Sequence, residues 1–333
     1  MKVYYFNKDI RNVTGFYYDI MLSALCKNGI ETKMLDRVSI KNLFQIKKED
    51  YVLATSLQAF IKLWLWGHRN FIYWYQGITP EEDKMITGSQ LRYLIFSLIE
   101  HLSLKVVKYK IGVSKYLFEH YQNKYGITID MNCVYIMPCY NSEFHKNSFF
   151  VKDKYLKNVF CYAGGMQVWQ GFENIVFLYK TIEIKYPDAF LRVYSKDLEG
   201  AREIIEKYEV SNYTLECVSA DELESKLAEC KFGFIIREDD IVNNVATPTK
   251  LATYIGNGVI PVFTPTIKTY ADMNNSYKYL CCANQSELTG RIADMMTEPI
   301  NAEMIFAEYQ RLYSDYYDKD KHMNALSKFF MLS

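Results

Sequence analysis

Net charge is the first thing this sequence lacks. Its 39 lysines and arginines are matched by 39 aspartates and glutamates, so no general field draws it to nucleic acid or drives it from a membrane. Local patches are another matter. No C-x-x-C pair occurs among the eight cysteines (Cys26, Cys133, Cys139, Cys161, Cys217, Cys230, Cys281, Cys282), which argues against a zinc ribbon and against a disulfide framework. Reduced, buried thiols of a cytosolic protein are expected instead. No run reaches the roughly 18 uncharged apolar residues of a bilayer span, and MKVYYFNKDI lacks the apolar core of a signal peptide and reads as a first strand. The three-glycine dinucleotide fingerprint G-x-G-x-x-G is missing, which disfavours a nicotinamide-dependent oxidoreductase. Short-period repeats and low-complexity tracts are missing too.

What is present is a rhythm of strand and helix over a chain of 333 residues, longer than one core usually serves. Strand-like runs at Val3 to Phe6, Tyr51 to Ala54, Phe71 to Tyr75, Lys110 to Val113 and Val134 to Met137 alternate with helical patterns. That is the signature of a parallel α/β sheet. Asn141 to Lys157 lapses into polar and charged residues and is expected to be an interdomain linker. A second series follows at Val159 to Tyr162, Phe190 to Tyr194, Tyr213 to Cys217, Phe232 to Ile236 and Ile260 to Phe263, and Glu303 to Leu332 is helical and charged. The expected division is 1–150, 151–305 and a C-terminal helical segment 306–333. Two such domains imply a cleft, with ligands outside the carboxyl ends of the strands.

The most informative stretch is GFIIREDDIVNNVATPTKLATYIGNGVIPVF, residues 233–263. A buried strand ends at Arg237, a polar loop follows, and Thr247-Pro248 predicts a helix start, with a threonine cap and proline at the first helical position. Lys250 then falls in the first helical turn, where a cation opposes the helix dipole at a cost of a few tenths of a kcal/mol to about 1. Something negative should offset it. Either Glu238, Asp239 and Asp240 fold back onto Lys250, or a phosphate sits where Arg237, Lys250 and the helix N–H groups converge.

Other loops carry weaker signals. FIYWYQGITPEE ends a strand in a Gly77 and Pro80 turn, which directs Gln76, Glu81 and Glu82 to the carboxyl end of the first sheet; solvated loop carboxylates are the plain alternative. Asn12-Val13-Thr14-Gly15 and Tyr162-Ala163-Gly164-Gly165 both follow strands, and the paired glycines permit close backbone approach to a ligand. Trp169 and Gln170 come next, at the start of a helix, with Trp169 either stacking on a sugar or base or simply packing. Two segments mix apolar and basic residues, AFIKLWLWGHR from Ala59 and the stretch Leu91 to Lys110. Each is expected to be an amphipathic helix packed on the core, with contact at a membrane surface as the alternative.

ATPTKLATYIGNGVIPVF resembles the donor-site segment of glycosyltransferases with the GT-B fold, especially those like family 4, where a strand, a P-x-K helix start and a G-x-P-V strand recur in this order. YWYQGITPEE and YAGGMQVWQGFENI are similar to segments of bacterial polysaccharide-assembly transferases of that group. The resemblance implies an α/β protein of two Rossmann-like parallel-sheet domains facing across a cleft, with a C-terminal helix packing back on the first domain. It implies a nucleotide-diphosphate sugar held mainly by the second domain as co-substrate, a saccharide or lipid-linked acceptor held mainly by the first, and no obligatory metal or cofactor.

By position, Arg237 and Lys250 correspond to cations near the donor diphosphate, and Gly164 and Gly165 to the loop beneath it. Gln170, Asn243, Asn244, Thr247, Thr249 and Thr253 complete the implied donor side, and Gly15 and Gln76 the acceptor side. The sequence departs from the family pattern in places. Thr253 stands where a glutamate commonly reaches the ribose. Val245 stands near the position of its partner glutamate, with Asn243 and Asn244 the closest polar residues. Gln170 lies near an expected lysine, and Gln76 where many relatives carry histidine.

The implied function is sugar transfer, with retention, in bacterial surface polysaccharide synthesis, by a cytoplasmic enzyme with peripheral contact at the inner membrane as an option and no nucleic-acid partner. The candidate catalytic residues are Arg237, Lys250, Glu81 and Glu82. The competing readings are a nucleotide-sugar epimerase or hydrolase of similar shape, and a non-catalytic two-lobe sugar-binding protein.

Overall fold

A computed structural model describes residues 1–9, 14–274 and 276–330. They form two compact units, Met1–Asn141 with Asp318–Ser333, and Ser142–Tyr317.

The first unit runs β1 (Lys2–Phe6), α1 (Gly15–Lys27), β2 (Glu31–Leu35), α2 (Ile40–Leu43), β3 (Tyr51–Ala54), α3 (Leu57–Leu65), β4 (Phe71–Tyr75), α4 (Thr79–Thr87), α5 (Gln90–Val106), β5 (Tyr109–Gly112), α6 (Lys115–Tyr125) and β6 (Val134–Ile136). Its six strands lie in the order β2-β1-β3-β4-β5-β6, all neighbours parallel. The central strands β3, β4 and β5 are buried throughout, as their near-continuous apolar sequences require when helices cover both faces. Serine caps start α3, α5 and α6: Ser56, Ser89 and Ser114 each accept the N–H three residues on, a contact worth about 1 kcal/mol. The strand β2 escapes the sequence reading because ETKML shows its charged side chains to solvent at the sheet edge and lacks an apolar run.

The second unit runs β7 (Val159–Ala163), α7 (Phe172–Lys185), β8 (Phe190–Tyr194), α8 (Leu198–Lys207), β9 (Tyr213–Glu216), α9 (Ala220–Leu227), β10 (Phe232–Ile235), α10 (Ile241–Val245), α11 (Lys250–Gly256), β11 (Ile260–Phe263), α12 (Lys268–Asn274), β12 (Cys281–Cys282), α13 (Gln285–Thr297) and α14 (Ala302–Tyr316). Its strands order as β12-β11-β10-β7-β8-β9. This is the doubly wound arrangement, in which the winding direction reverses between β7 and β10. Phe232 and Gly233 pair there with Phe160 and Cys161, and the rings of Phe160, Phe232 and Phe234 stack face to face.

The C-terminal segment breaks into two helices. Asp318 caps a final helix, α15 (Lys319–Phe329), which packs on α1 of the first unit. Asn28 donates to the carbonyls of Ser327 and Phe330 at 2.6 and 3.1 Å and anchors its end.

The expected linker is not a linker. From Ser142 onward the chain belongs to the second unit, where Phe149 is fully buried against Phe144 and Phe306. Lys154 made the stretch look solvent-exposed, yet its ammonium is buried and donates to the carbonyls of Ser148 and Asn257 at 2.9 and 2.6 Å. The cysteines are all free, but only Cys161, Cys230 and Cys281 are buried, while Cys26 and Cys217 are exposed.

Burial pushes the Lys154 ammonium down to about 7 and that of Lys231 to about 8. Both bind a proton more readily unfolded than folded, so each disfavours folding at low pH and the penalty fades as pH rises toward the ordinary lysine value. Lys154→Met should therefore flatten the rise of unfolding free energy between about pH 7 and 9 relative to the parent, measured by denaturant titration at each pH; an unchanged slope would contradict a charged-state penalty at Lys154.

Candidate active site

Two strands that meet where the second sheet reverses direction deliver the site. β7 ends at Ala163 and runs into Gly164, and β10 ends two residues before Arg237. Crevices at the carboxyl ends of strands next to such a reversal are where open α/β sheets bind ligands.

Arg237 is buried, and its backbone is fixed by Thr264: the Arg237 N–H donates to Thr264 Oγ1 at 3.3 Å, and Thr264 Oγ1 donates back to the Arg237 carbonyl at 2.9 Å. Its guanidinium donates to Asn243 Oδ1 at 2.8 Å and to Gln170 Oε1 at 3.0 Å. Among the described residues the buried Nε–H has no hydrogen-bond partner. Lys250, also buried, donates to the same Gln170 Oε1 at 2.7 Å and lies 4.0 Å from the Tyr162 ring centre. Two cations therefore share one neutral oxygen. Burial, reinforced by the Arg237 charge, holds the Lys250 ammonium well below its ordinary value, and burial also lowers Arg237.

The acidic residues expected to fold back on Lys250 are engaged elsewhere. Glu238 accepts from Asn174 at 3.1 Å and Asp239 from Asn244 at 2.7 Å. Asp240 caps α10, accepting the Asn243 N–H at 2.8 Å and the Asn243 side-chain amide at 2.7 Å. This turns the Asn243 oxygen toward Arg237. The polar loop of the sequence reading thus contains a short helix, α10, that aims Asn243; five residues with one cap are too brief for periodicity to reveal.

The helix α11 begins at Lys250 rather than at Pro248, and its N-cap Thr249 has helical dihedrals with no side-chain cap bond. Thr247 is buried ahead of it, and Thr253 spends its hydroxyl on the Thr249 carbonyl at 3.1 Å. Gly164 leaves room for the Lys250 ammonium, since a Cβ there would sit 2.6 Å from Lys250 Cε and 2.7 Å from Nζ and push that side chain aside. Gly165 lies against the Gln167 side chain, and its carbonyl accepts from Tyr162 at 2.5 Å. Trp169 and Gln170 form a 3-10 turn, ahead of α7 rather than within it. Beside Arg237, a cavity of about 520 Å³ is lined by Asn244, Thr264, Thr266, Lys268 and Asn284, at the ends of β10, β11 and β12. The roles of Tyr162, Thr264, Thr266 and Asp240 had no motif to announce them.

In the first unit, a cavity of about 310 Å³ lies at the ends of β3 and β4, lined by Thr55, Tyr75, Gln76, Thr79, Glu82 and Glu100 among others. The adjacent glutamates part company here. Glu81 accepts from Lys124 at 2.8 Å and His120 at 3.3 Å; burial alone would raise its carboxyl, but these partners outweigh burial and hold it low. Glu82 is raised, chiefly by burial, and among the described residues accepts only the Ile78 N–H at 3.2 Å. Gly77 makes room for it, since a Cβ there would collide with Glu82 Oε1. Burial also lifts Glu100 to about 7, against the pull of Lys124 and Tyr125. Gly15 opens α1, while Asn12 and Val13 lie outside the described residues. Among the described residues no group of histidine, cysteine, aspartate or glutamate side chains is arranged to hold a metal ion.

No family model matches the chain, and no curated protein matches its sequence. Solved structures do match its fold. HepE from Anabaena, in complex with UDP and glucose, superposes with a TM-score of 0.70 at 10% identity over 98% of each chain. Sucrose-phosphate synthase from Thermosynechococcus elongatus gives a TM-score of 0.70 at 10% identity, covering 99% of this chain and 98% of the other. TarM from S. aureus, solved with UDP, gives 0.64 at 10% identity over 86% of this chain, which spans 57% of the TarM chain. At these identities the likeness establishes the fold: two parallel six-stranded sheets, each flanked by helices, as in GT-B glycosyltransferases.

The shared oxygen of Gln170 exposes the charge imbalance to a direct test. Gln170→Glu places a negative charge in direct contact with both cations and should raise the melting temperature of the unliganded protein by about 1–3 °C, in line with about 1–2 kcal/mol from a charge-assisted pair. A fall in melting temperature would mean that the two cations are not short of an anion.

Proposed function

We propose that this chain is a glycosyltransferase of the family 4 type that moves a sugar from a nucleotide-diphosphate sugar to a saccharide or lipid-linked acceptor in bacterial surface polysaccharide synthesis. The observation that carries the reading is the pair Arg237 and Lys250, both buried, with one neutral oxygen between them and an unpartnered Nε–H. A buried cation costs several kcal/mol unless it is paired. A diphosphate is dianionic or more, has oxygens enough for both side chains, and suits a position at the carboxyl ends of β7 and β10. The GT-B fold, and the UDP in HepE and TarM, support the same ligand class.

The chemistry follows from charge. An acceptor hydroxyl oxygen bonds to the anomeric carbon, the bond from that carbon to the phosphate oxygen breaks, and its electron pair leaves on the diphosphate. Fixed cations in a dry site stabilise that developing charge without reorganising. Arg237 and Lys250 do this work, and no step calls on a metal. Asn243, held by Asp240, keeps the guanidinium in plane for the phosphate. The hydroxyl proton passes to a carboxylate or, in a transfer with retention, to the departing phosphate itself. Glu82 is the suitable carboxylate, because a raised value brings it nearer neutral pH while Glu81 is tied to Lys124. Gln76 beside it in the cavity is assigned to the acceptor.

Three measurements test this reading. UDP or GDP at about a hundred times its dissociation constant should raise the melting temperature by about 4 °C, and no shift with any nucleoside diphosphate would remove the basis for the proposal. Arg237→Ala and Lys250→Ala should each slow transfer by about a hundredfold or more while remaining folded; near-parental turnover in either would sink the diphosphate assignment. Product release from donor without acceptor would point instead to an epimerase or hydrolase. For the carboxylates, Glu82→Gln should lower kcat by about a hundredfold, whereas Glu81→Gln should leave kcat nearly unchanged and destabilise the fold by roughly 1–3 kcal/mol. If neither affects turnover, the proton goes to phosphate.

A further inference from the structure

The helix α5 was expected to bury its apolar stripe, and it does not. Leu91, Leu94, Ile95 and Leu98 recur at helical spacing on one side of the helix and are 68, 51, 46 and 71% exposed. Lys105, seven residues beyond Leu98, continues the same side, while Glu100 lies on the opposite side and is buried. The preceding helix α4, packed on α5, ends in exposed Met85 and Ile86. The helix α3, which also contacts α5, ends in exposed Leu65 and Trp66.

The exposed charge carried by this segment has one sign. Between residues 57 and 110 the exposed charged side chains are Lys62, Arg69, Lys84, Arg92, Lys105 and Lys108. The four acidic residues of that span are withdrawn: Glu81 to Lys124 and His120, Asp83 to Arg92, Glu100 to Lys124 and Tyr125, and Glu82 to the Ile78 N–H. Within residues 57–110 every exposed charged side chain is therefore a cation, with Arg92 offset by Asp83. No described helix is long and apolar enough to cross a membrane. Exposed leucines and isoleucines with a terminal tryptophan and basic residues make the pattern of a helix lying in a lipid interface.

We propose that the α3–α4–α5 face of the first unit docks on an anionic lipid bilayer, with α5 lying in the plane of the headgroups. The positive ring selects an acidic surface, and the stripe of Leu91, Leu94, Ile95 and Leu98 enters the acyl boundary. Docking rests on the exposed face alone. Its link to a lipid-linked acceptor rests on the transferase reading.

The test is flotation of the full chain, without donor or acceptor, with vesicles of phosphatidylcholine alone or mixed with phosphatidylglycerol. Binding is expected to the mixed vesicles, weak to the neutral ones, and reduced by raised salt. Leu94→Asp with Leu98→Asp should lower partitioning at least about tenfold, and Lys84→Glu with Lys105→Glu should lower it by about fivefold per charge removed or more. Melting temperature and the nucleotide-induced thermal shift should stay as in the parent, which separates failure of docking from failure of the donor site. Docking is overturned if the parent does not float with acidic vesicles, or if the Leu94 and Leu98 variant floats equally well. A concentration-dependent dimer in sedimentation, abolished by that variant and accompanied by no vesicle binding, would assign the face to a second copy and overturn it too.

Discussion

Two buried cations that share one neutral oxygen set the terms for the second unit. Like charges in a poorly solvated site repel, and each has given up hydration worth several kcal/mol. Arg237 and Lys250 are nevertheless held in place, by Thr264 on the arginine backbone, by Asn243 on its guanidinium, and by the Tyr162 face under the ammonium. A fold keeps such an arrangement only if the surrounding structure holds both side chains in place, and charges perturbed by burial and a like-charged neighbour cluster at functional sites. The order of the sheet supplies the determination. Because β7 and β10 are neighbours although their sequence positions lie some 70 residues apart, the turn at Gly164 and the strand end at Arg237 meet without either segment being long.

The first unit shows the complementary case, in which environment separates residues of one type. Glu81 and Glu82 are consecutive, yet one faces Lys124 and His120 and the other a cavity with a single backbone donor. Opposite charge lowers the first and desolvation raises the second. Glu100 adds a third variation, since burial lifts it to about 7 even with Lys124 at 3.1 Å. Carboxyls pushed apart in this way can take different roles at one pH. The geometry thus separates a glutamate that fastens α4 to α6 from one left facing the cavity.

Legibility in the sequence followed the range of the interactions concerned. Arg237 and Lys250 were legible because strand, proline, lysine and glycine all fall within some thirty residues and each has a local physical meaning. Gln170 was visible only as a position in a loop; that its oxygen joins two cations depends on contacts 67 and 80 residues distant. The edge strands β2 and β12 were missed for different reasons, the first because its side chains are polar and the second because it has only two residues. Lys154 misled in the opposite direction. A charged residue ordinarily marks solvent, and here two backbone carbonyls and partial neutralisation let it stay inside.

The same logic governs α5, where apolar spacing was legible and its direction was not. Periodicity says that one side of a helix differs from the other, and it does not say which side meets the core. On α5 the buried side is marked by Glu100, Ser103 and Leu104, two of them polar and satisfied by Lys124, Tyr125 and Tyr75. With polar groups neutralised inside and leucines left outside, hydrophobicity no longer distinguishes core from surface in this stretch. The sign of the exposed charge does. A balanced total of acidic and basic residues over the whole chain conceals a local segregation, in which the acids of residues 57–110 are paired or buried while Lys62, Arg69, Lys84, Arg92, Lys105 and Lys108 are exposed. That segregation, rather than the apolar stripe alone, is what gives the face a direction and a kind of partner.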